Sequence, residues 1–203
     1  MSNLRELELV HASPRLLEIL RREGVSILTK FQADAVERGI TRGVSQLLLT
    51  RDYDEAYNIA EIAILNRVTS DFRAKAIILC PNPHHAEAVY QTIHPRCTRL
   101  GIEATALTRR RTATDPYIEI GRVIVSTYRT MSIALKTRPE ILDNLQCVLI
   151  DRLDYIGQPE IGARLETTLV ALKGYSNDLQ YIAICPPVAN VNELSSWLES
   201  EIV

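Results

Sequence analysis

Acidic side chains come directly after two apolar runs of the sequence, where they could bind a ligand. The segment after residues 46–50 contains Asp52, Asp54 and Glu55, and the segment after residues 147–150 begins with Asp151. Carboxylates gathered in this way could hold a hard cation, because such ions prefer oxygen ligands. Arg51 and Arg152 lie among these acids and compete for their oxygens. We therefore prefer an ion pair between Arg152 and the acids of residues 52–55 to a metal site, and we predict no metal ligands.

The same acidic segment lacks the residues of a phosphate-binding loop. Such a loop needs glycines, a lysine and a Ser or Thr, and residues 51–57 (RDYDEAY) contain none of them. A carboxylate about 4 Å from a phosphate costs about 4 kcal/mol at an effective dielectric of about 20, which exceeds the roughly 0.3–1 kcal/mol that a helix dipole contributes. We predict that a triphosphate does not bind here. The acids suit the N-terminus of the following helix as capping and first-turn residues.

A run of three arginines at residues 109–111 follows the third predicted strand. Guanidinium groups bind phosphates through paired hydrogen bonds, so this run could contact a nucleic-acid backbone. Arg122 and Arg129 flank the next predicted strand and could extend the patch. A solvated turn explains a lone triplet equally well, so the sequence leaves both interpretations open.

The other reactive side chains form no catalytic constellation. His84 and His85 are neighbours, and neighbours on a helix point in different directions, so they are predicted to be surface residues rather than zinc ligands. The four cysteines contain no CxxC pair, so neither a zinc site nor a disulfide framework is indicated. Three of them lie in or at the end of apolar runs, which predicts small buried side chains. No GxSxG segment marks a serine nucleophile. We predict no catalytic residue and no cofactor.

The composition is that of one compact domain. The chain has 203 residues, of which 46% are hydrophobic, and no repeat or Pro/Gly-rich linker divides it, so we predict a single domain over residues 1–203. The formal charge of -2 gives no overall positive field, so any nucleic-acid binding must be local. No apolar run approaches the roughly 18 residues of a membrane span, and the charged N-terminus does not resemble a signal peptide. We expect a cytoplasmic protein with no membrane partner.

Short β-branched runs alternate with longer segments of helical periodicity. The predicted strands are 46–50, 76–80, 103–107, 123–126, 147–150 and 180–185. The predicted helices are roughly 14–23, 31–42, 54–69, 83–100, 130–137, 162–172 and 190–199. Most of these strands are apolar on both faces, which is typical of parallel strands covered by helices. The pattern predicts a three-layer α/β/α fold with a mostly parallel sheet of about six strands, which binds ligands beyond the carboxyl ends of the strands.

The order of several segments resembles the first RecA-like domain of superfamily-two helicases. LTKFQADAVERGI (28–40) resembles the segment with a Phe-Gln pair that precedes their first strand, and IAEIAIL (59–65) resembles the helix after their Walker A loop. The resemblance continues through motif Ia in ILCP (78–81), motif Ib in VIVSTYRTM (123–131) and motif II in VLIDRLDYIGQPEIGARLE (148–166). IAICPPVANVNELSSWLE (182–199) resembles the motif III strand and its helix. The most similar branch is the archaeal repair helicases and superkiller-type RNA helicases, which implies the RecA-like (P-loop NTPase-like) fold.

The departures from this family fall on the residues of ATP hydrolysis. The resemblance places Ala56 at the phosphate lysine, Tyr57 at the magnesium-binding hydroxyl and Arg152 at the catalytic glutamate. Motif III has Cys185-Pro186-Pro187 in place of Ser-Ala-Thr, and Ile161 replaces the arginine before the matching glycine. The second RecA-like domain is expected to be absent. These departures predict a pseudo-ATPase with a degenerate pocket, formed by Gln32, Asp52, Asp54, Glu55, Ala56, Tyr57, Asp151 and Arg152.

The resemblance also implies contacts with nucleic acid after the second, third and fourth strands. The candidates are Pro81, Asn82, Arg109, Arg110, Arg111, Thr127, Tyr128 and Arg129. The leading hypothesis is an inactive helicase-like domain that binds single-stranded nucleic acid or regulates a partner in DNA repair or RNA processing. One alternative is a protein-interaction module that forms homo-oligomers or binds a helicase or another repair or RNA-processing protein. Another is an NTPase subunit that a second chain completes.

Overall fold

The computed structural model describes residues 12–25, 27–108, 121–176 and 178–203. Within these ranges, seven strands form one sheet in which every adjacent pair is parallel, in the order β3-β4-β2-β5-β6-β1-β7. The strands are β1 (Gln46–Leu49), β2 (Lys75–Cys80), β3 (Ala104–Leu107), β4 (Val123–Thr127), β5 (Leu145–Ile150), β6 (Gln180–Cys185) and β7 (Glu201–Ile202). The sequence predicted six of them. It missed β7, which has only two residues and pairs with Gln46 and Leu47 at the edge of the sheet.

Helices cover both faces of this sheet. They are α1 (Pro14–Arg22), α2 (Lys30–Glu37), α3 (Tyr53–Ser70), α4 (Pro83–Leu100), α5 (Tyr128–Thr137), α6 (Pro159–Tyr175) and α7 (Val191–Leu198). The first four pack in one core with alternate strand residues such as Ile78 and Cys80. The last three pack in a second core with the intervening residues, such as Ile77 and Leu79. The predicted three-layer α/β/α fold with a parallel sheet is confirmed.

Local signals in the sequence place most helix ends. Pro14 and Pro83 occupy first-turn positions of α1 and α4, where a missing N–H costs no hydrogen bond. Thr29 and Gln32 form a capping box at the start of α2. The predicted helix 31–42 is too long, because α2 ends at Glu37 and Gly39 has φ of 96°, a conformation that other residues rarely adopt.

The strands are buried because helices cover them on both sides. All four cysteines are free and buried, the three in apolar runs as predicted and Cys97 on α4 in addition, so they act as small apolar side chains in the cores. Among the described residues, no helix combines the length and apolar character that a membrane span requires.

Substitution of Gly162 tests how closely the chain packs next to the carboxyl ends of the strands. A Cβ at this position would lie 2.0 Å from the carbonyl oxygen of Ile156, whereas a Cβ at Gly174 of the same helix would have no atom within 4 Å. We expect Gly162→Ala to lower the free energy of unfolding by roughly 1–3 kcal/mol or more, because backbone atoms must move apart. Gly174→Ala should raise it by about 0.4–1 kcal/mol, because alanine loses less chain entropy.

Urea unfolding of the two variants beside the unchanged protein measures both effects. Equal stability of the two variants would contradict the close approach of Gly162 to Ile156.

Candidate functional site

A buried carboxylate lies at the carboxyl end of β5. Asp151 is fully buried, and its backbone N–H donates to the carbonyl oxygen of Leu79, 2.9 Å away, at the end of β2. Its side chain forms an ion pair with Nε2 of His85 on α4. The hydroxyl of Tyr53, the first residue of α3, lies 3.1 Å from the same nitrogen. Three separate elements therefore meet at Asp151.

The start of α4 positions His85. Asn82 caps this helix, and its side-chain oxygen accepts a 2.9 Å hydrogen bond from the backbone N–H of His85. The ring of Tyr53 packs edge-on against His85 at 5.8 Å and stacks on Tyr57 at 5.7 Å. The side chain of His85 is therefore held in place, whereas His84 is exposed. His84 is a surface residue as predicted, whereas His85 is only partly exposed and has a partner, Asp151, that the sequence did not predict.

These contacts shift the pKa values of the histidine and of the two tyrosines. The hydrogen bond to Asp151 raises the pKa of His85, although burial opposes the shift. Burial and the nearby Asp151 carboxylate raise the pKa of Tyr53, and burial also raises the pKa of Tyr57. Both tyrosines are therefore neutral at physiological pH, and His85 is the group that compensates the charge of Asp151.

Arg152 does not pair with the acids of residues 52–55, so that prediction is wrong. Its guanidinium binds both oxygens of Asp154, at 2.9 and 2.7 Å, and lies 4.6 Å from the ring centre of Tyr155. Arg152 has φ of 64°, a left-handed conformation that directs the chain into the short 3₁₀ turn Leu153–Gly157. The turn thus gives Arg152 an acidic partner only two residues further along the chain, whereas the acids after β1 are distant in the sequence.

The acids after β1 cap the start of α3 or lie in its first turn. The side chain of Asp52 caps the helix by accepting a 3.1 Å hydrogen bond from the N–H of Glu55, and Asp54 and Glu55 lie in its first turn. This confirms the capping interpretation of the sequence. Within the described ranges, no group of three or more His, Cys, Asp or Glu side chains is arranged to hold a metal ion.

The remaining residues of the predicted pocket are also engaged with the protein. Ala56 is fully buried, and the side chain of Tyr57 is 7% exposed. The side-chain amide of Gln32 donates to the carbonyl oxygen of Glu55 at 3.1 Å, and its oxygen accepts from the N–H of Thr29. Since α3 begins at Tyr53, the three residues before Ala56 belong to its first turn rather than to an open loop.

A groove of about 910 Å³ lies between α5 and α6, beside the carboxyl ends of β2, β3 and β4. Its lining residues come from these strand ends and from one face of each helix: Pro81, Pro83, Thr108, Thr127, Tyr128, Arg129, Thr130, Ile133, Thr137, Arg138, Glu160, Ile161 and Arg164. The groove brings together four of the predicted nucleic-acid contacts. Sequence reasoning missed the residues of α6 as part of this groove, because the resemblance over residues 148–166 implies no nucleic-acid contact there.

The four predicted contacts in the groove differ in how far their side chains are exposed. Arg129 is exposed and Pro81 is partly exposed. Tyr128 is 1% exposed, and its hydroxyl donates to the backbone oxygens of Asp151 and Arg152, so its aromatic ring is unavailable at the surface. Thr127 is 4% exposed and caps α5.

Other residues that were predicted to contact nucleic acid lie outside the groove lining or outside the described residues. Asn82 is exposed and caps α4 outside the groove lining. The run 109–111 lies outside the described residues. Arg122 cannot extend the patch, because its guanidinium donates to the backbone oxygens of Val68, Asp71 and Ala74, beyond the amino end of β4.

Comparison with solved structures defines the class of this domain. The DUF1998 helicase MrfA superposes with a TM-score of 0.78 over 95% of this chain and 32% of its own, at 17% identity. A variant of S. cerevisiae Dbp5 bound to RNA and ADP BeF3 gives a TM-score of 0.81 over 97% of this chain and 51% of its own, at 16% identity. The chain has the fold of a RecA-like helicase domain.

Sequence comparison also finds helicases. The ATP-dependent DNA helicase Hel308 of Pyrococcus horikoshii is 26% identical over 198 residues, which is 98% of this chain and 27% of the relative. Hel308 of Pyrobaculum calidifontis is 28% identical over 189 residues, or 93% of this chain and 26% of the relative. The chain thus spans about a quarter of the length of these relatives. No family model matches the sequence. The predicted resemblance to superfamily-two helicases is confirmed, and the chain is a helicase-related domain.

The ion pair of His85 with Asp151 makes a pH-dependent contribution to stability. Because the pKa of His85 is raised above 6.5, protonated His85 contributes stability that is fully present below about pH 6.5 and is lost as the pH rises through the folded-state pKa. We expect the free energy of unfolding to fall over this interval in the unchanged protein. The fall should be smaller in His85→Gln and unaltered in His84→Gln.

Urea unfolding at several values between about pH 6 and about pH 9 measures this difference. The same pH dependence in His85→Gln and in the unchanged protein would contradict the assigned ion pair.

Proposed function

We propose that this chain is a RecA-like domain that binds single-stranded nucleic acid without hydrolysing a nucleotide. The observation that carries the proposal is the groove between α5 and α6, where Arg129 is exposed beside the carboxyl ends of three parallel strands. Ligands of open α/β sheets bind at this edge. The resemblance found in the sequence implies nucleic-acid contacts at the same strand ends.

The contacts around α3 support the absence of ATP hydrolysis. Ala56 has no group that could bind a phosphate, and Asp52 already caps an N–H group of the first turn. The rings of Tyr53 and Tyr57 stack beside this position, and the Asp151 carboxylate is paired with His85. These residues do not fit a magnesium-bound triphosphate, which needs free N–H donors, a cation and an open carboxylate.

The relatives support a nucleic-acid ligand. Hel308 is described as a DNA helicase, one MrfA structure contains DNA, and the Dbp5 structure contains RNA. The MrfA–DNA structure has a TM-score of 0.77 to this chain. With a formal charge of -2, the chain has no general attraction for polyanions, so binding must depend on a local cluster of arginines. We infer weak, salt-dependent binding without sequence preference, in DNA repair or RNA processing.

Calorimetry tests the absence of nucleotide binding. Titration of ATP with Mg²⁺ into the protein should give no heat of binding, and the unfolding transition should not shift with added nucleotide. A bound ligand at about 100 times its Kd would add about 2.7 kcal/mol to the stability. A Kd in the micromolar range, equivalent to about -8 kcal/mol, would overturn the proposal of a nucleotide-free domain.

Fluorescence anisotropy with labelled 20-residue oligothymidylate and oligouridylate tests nucleic-acid binding. We expect binding at about 50 mM salt that weakens steeply by about 200 mM, because counterions are released from the phosphates. Arg129→Ala should weaken binding several-fold, because it removes a charge-assisted contact to phosphate. Arg73→Ala is the matched control, since Arg73 is an exposed arginine just before the amino end of β2, opposite to the groove.

No binding of either oligonucleotide at low salt would refute the proposal. Equal loss in Arg129→Ala and Arg73→Ala would show that binding is nonspecific and does not use the groove.

A further inference from the structure

We infer that the groove clamps a single strand between two walls, with Arg164 of α6 as a second phosphate contact opposite Arg129 of α5, and with Ile133 on the first wall and Ile161 on the second as apolar contacts for the bases. The inference rests on the proposed function and adds the residues by which the groove selects a single strand over a duplex. The resemblance found in the sequence implies no nucleic-acid contact at Arg164 or at the two isoleucines. The evidence is the placement of these side chains in one groove.

The first wall is one face of α5. Arg129, Ile133 and Thr137 are spaced four residues apart, so they lie along the same side of the helix and all line the groove. Arg138 follows the helix and lines the far end of this wall, where its guanidinium binds Glu140 at 2.7 Å. At about 1.5 Å per residue, nine residues place Arg129 and Arg138 about 13 Å apart along the axis, which is more than one nucleotide step.

The second wall is the first half of α6. Ile161 and Arg164 are three residues apart and share a face of this helix. Thr168, one turn further on, donates to the carbonyl oxygen of Tyr128 at 3.3 Å, and this hydrogen bond ties α6 to the start of α5. The two walls are therefore held at a fixed separation.

The charges of the walls favour a polyanion. Arg129 and Arg164 are exposed, and within the described ranges their guanidinium groups have no hydrogen-bond or ion-pair partner. Glu160 is the single acidic side chain among the lining residues that the structure describes. Two available guanidinium groups on opposite walls can each bind a phosphate of one strand that runs between them.

The apolar side chains of the walls distinguish a single strand from a duplex. Ile133 is 50% exposed and Ile161 is partly exposed, and both line the groove. The outer surface of a duplex presents phosphates and sugars, whereas a single strand can turn its bases toward an apolar surface. Since the ring of Tyr128 is buried, the aliphatic side chains replace the aromatic stacking that such grooves often use. Binding should therefore be weak and insensitive to base identity.

The experiment combines two variants with two controls. Arg164→Ala should weaken binding of single-stranded oligothymidylate about fivefold at low salt, and it should reduce the slope of log K against log salt by about 0.7, the value for one phosphate contact. Arg73→Ala should leave both quantities unchanged. Ile133→Ser should weaken binding of the single strand, whereas Val170→Ser, which alters a 58% exposed aliphatic residue of α6 outside the groove, should not.

Two comparison ligands complete the test. A duplex of the same length should bind more weakly than the single strand, and an abasic strand should lose its sensitivity to Ile133→Ser. Equal affinity for duplex and single strand would overturn the role given to the apolar side chains of the walls. Competition by polyglutamate as effective as that by unlabelled oligonucleotide would overturn nucleic acid as the occupant.

The outcomes separate this inference from the proposed function. If the unchanged protein binds the oligonucleotide and Arg129→Ala weakens it, but Arg164→Ala and Ile133→Ser do not, the two-walled clamp is wrong and the proposed function stands. If the unchanged protein does not bind at all, both fail. Circular dichroism of each variant excludes loss of folding, which is not expected because the substituted side chains are exposed.

Discussion

The buried carboxylate of Asp151 constrains the whole carboxyl edge of the sheet. An ionised carboxylate that has left water needs a charged or hydrogen-bonding partner, since an unpaired one costs several kcal/mol. β5 carries Asp151 into the interior, and His85 from α4 provides the compensating charge. Tyr53 of α3 lies against the same histidine, and Tyr128 of α5 binds the backbone beside Asp151. Three helices from both layers are thus anchored on the end of one strand.

This anchoring has opposite consequences on the two faces of the sheet. On the face covered by α3 and α4, the rings of Tyr53 and Tyr57 and the side chain of His85 gather around Asp151. On the other face, the inward hydroxyl of Tyr128 fixes the start of α5, and the exposed side of that helix forms a wall of the groove. The cluster of Tyr53, Tyr57 and His85 on one face and the groove on the other are therefore both tied to the end of β5.

Periodicity and capping signals predicted the elements of the fold, because they act over a few neighbouring residues. Alternation of apolar residues located six strands, and Asp52 could be recognised as a helix cap from its place before α3. Partners from distant parts of the chain could not be predicted. His85 meets Asp151 only because β2 and β5 are adjacent in the sheet, and the sequence does not specify the strand order. The pairing of Arg152 with Asp154 depends on a left-handed residue that local composition does not indicate.

An overall negative charge is compatible with a cationic groove because charges that are paired elsewhere in the fold add little to the local field. Glu61 of α3 is fully buried and pairs with Arg96 of α4 at 2.9 Å, and Arg96 also binds Glu23 at 2.8 Å. Burial raises the pKa of Glu61, while Arg96 opposes the shift and keeps the pair compensated. Glu23 also binds Arg99, so this cluster of two acids and two arginines is balanced and contributes little to the field at the groove. The potential in the groove is set by Arg129, Arg164 and Glu160, and within the described residues neither arginine forms an ion pair.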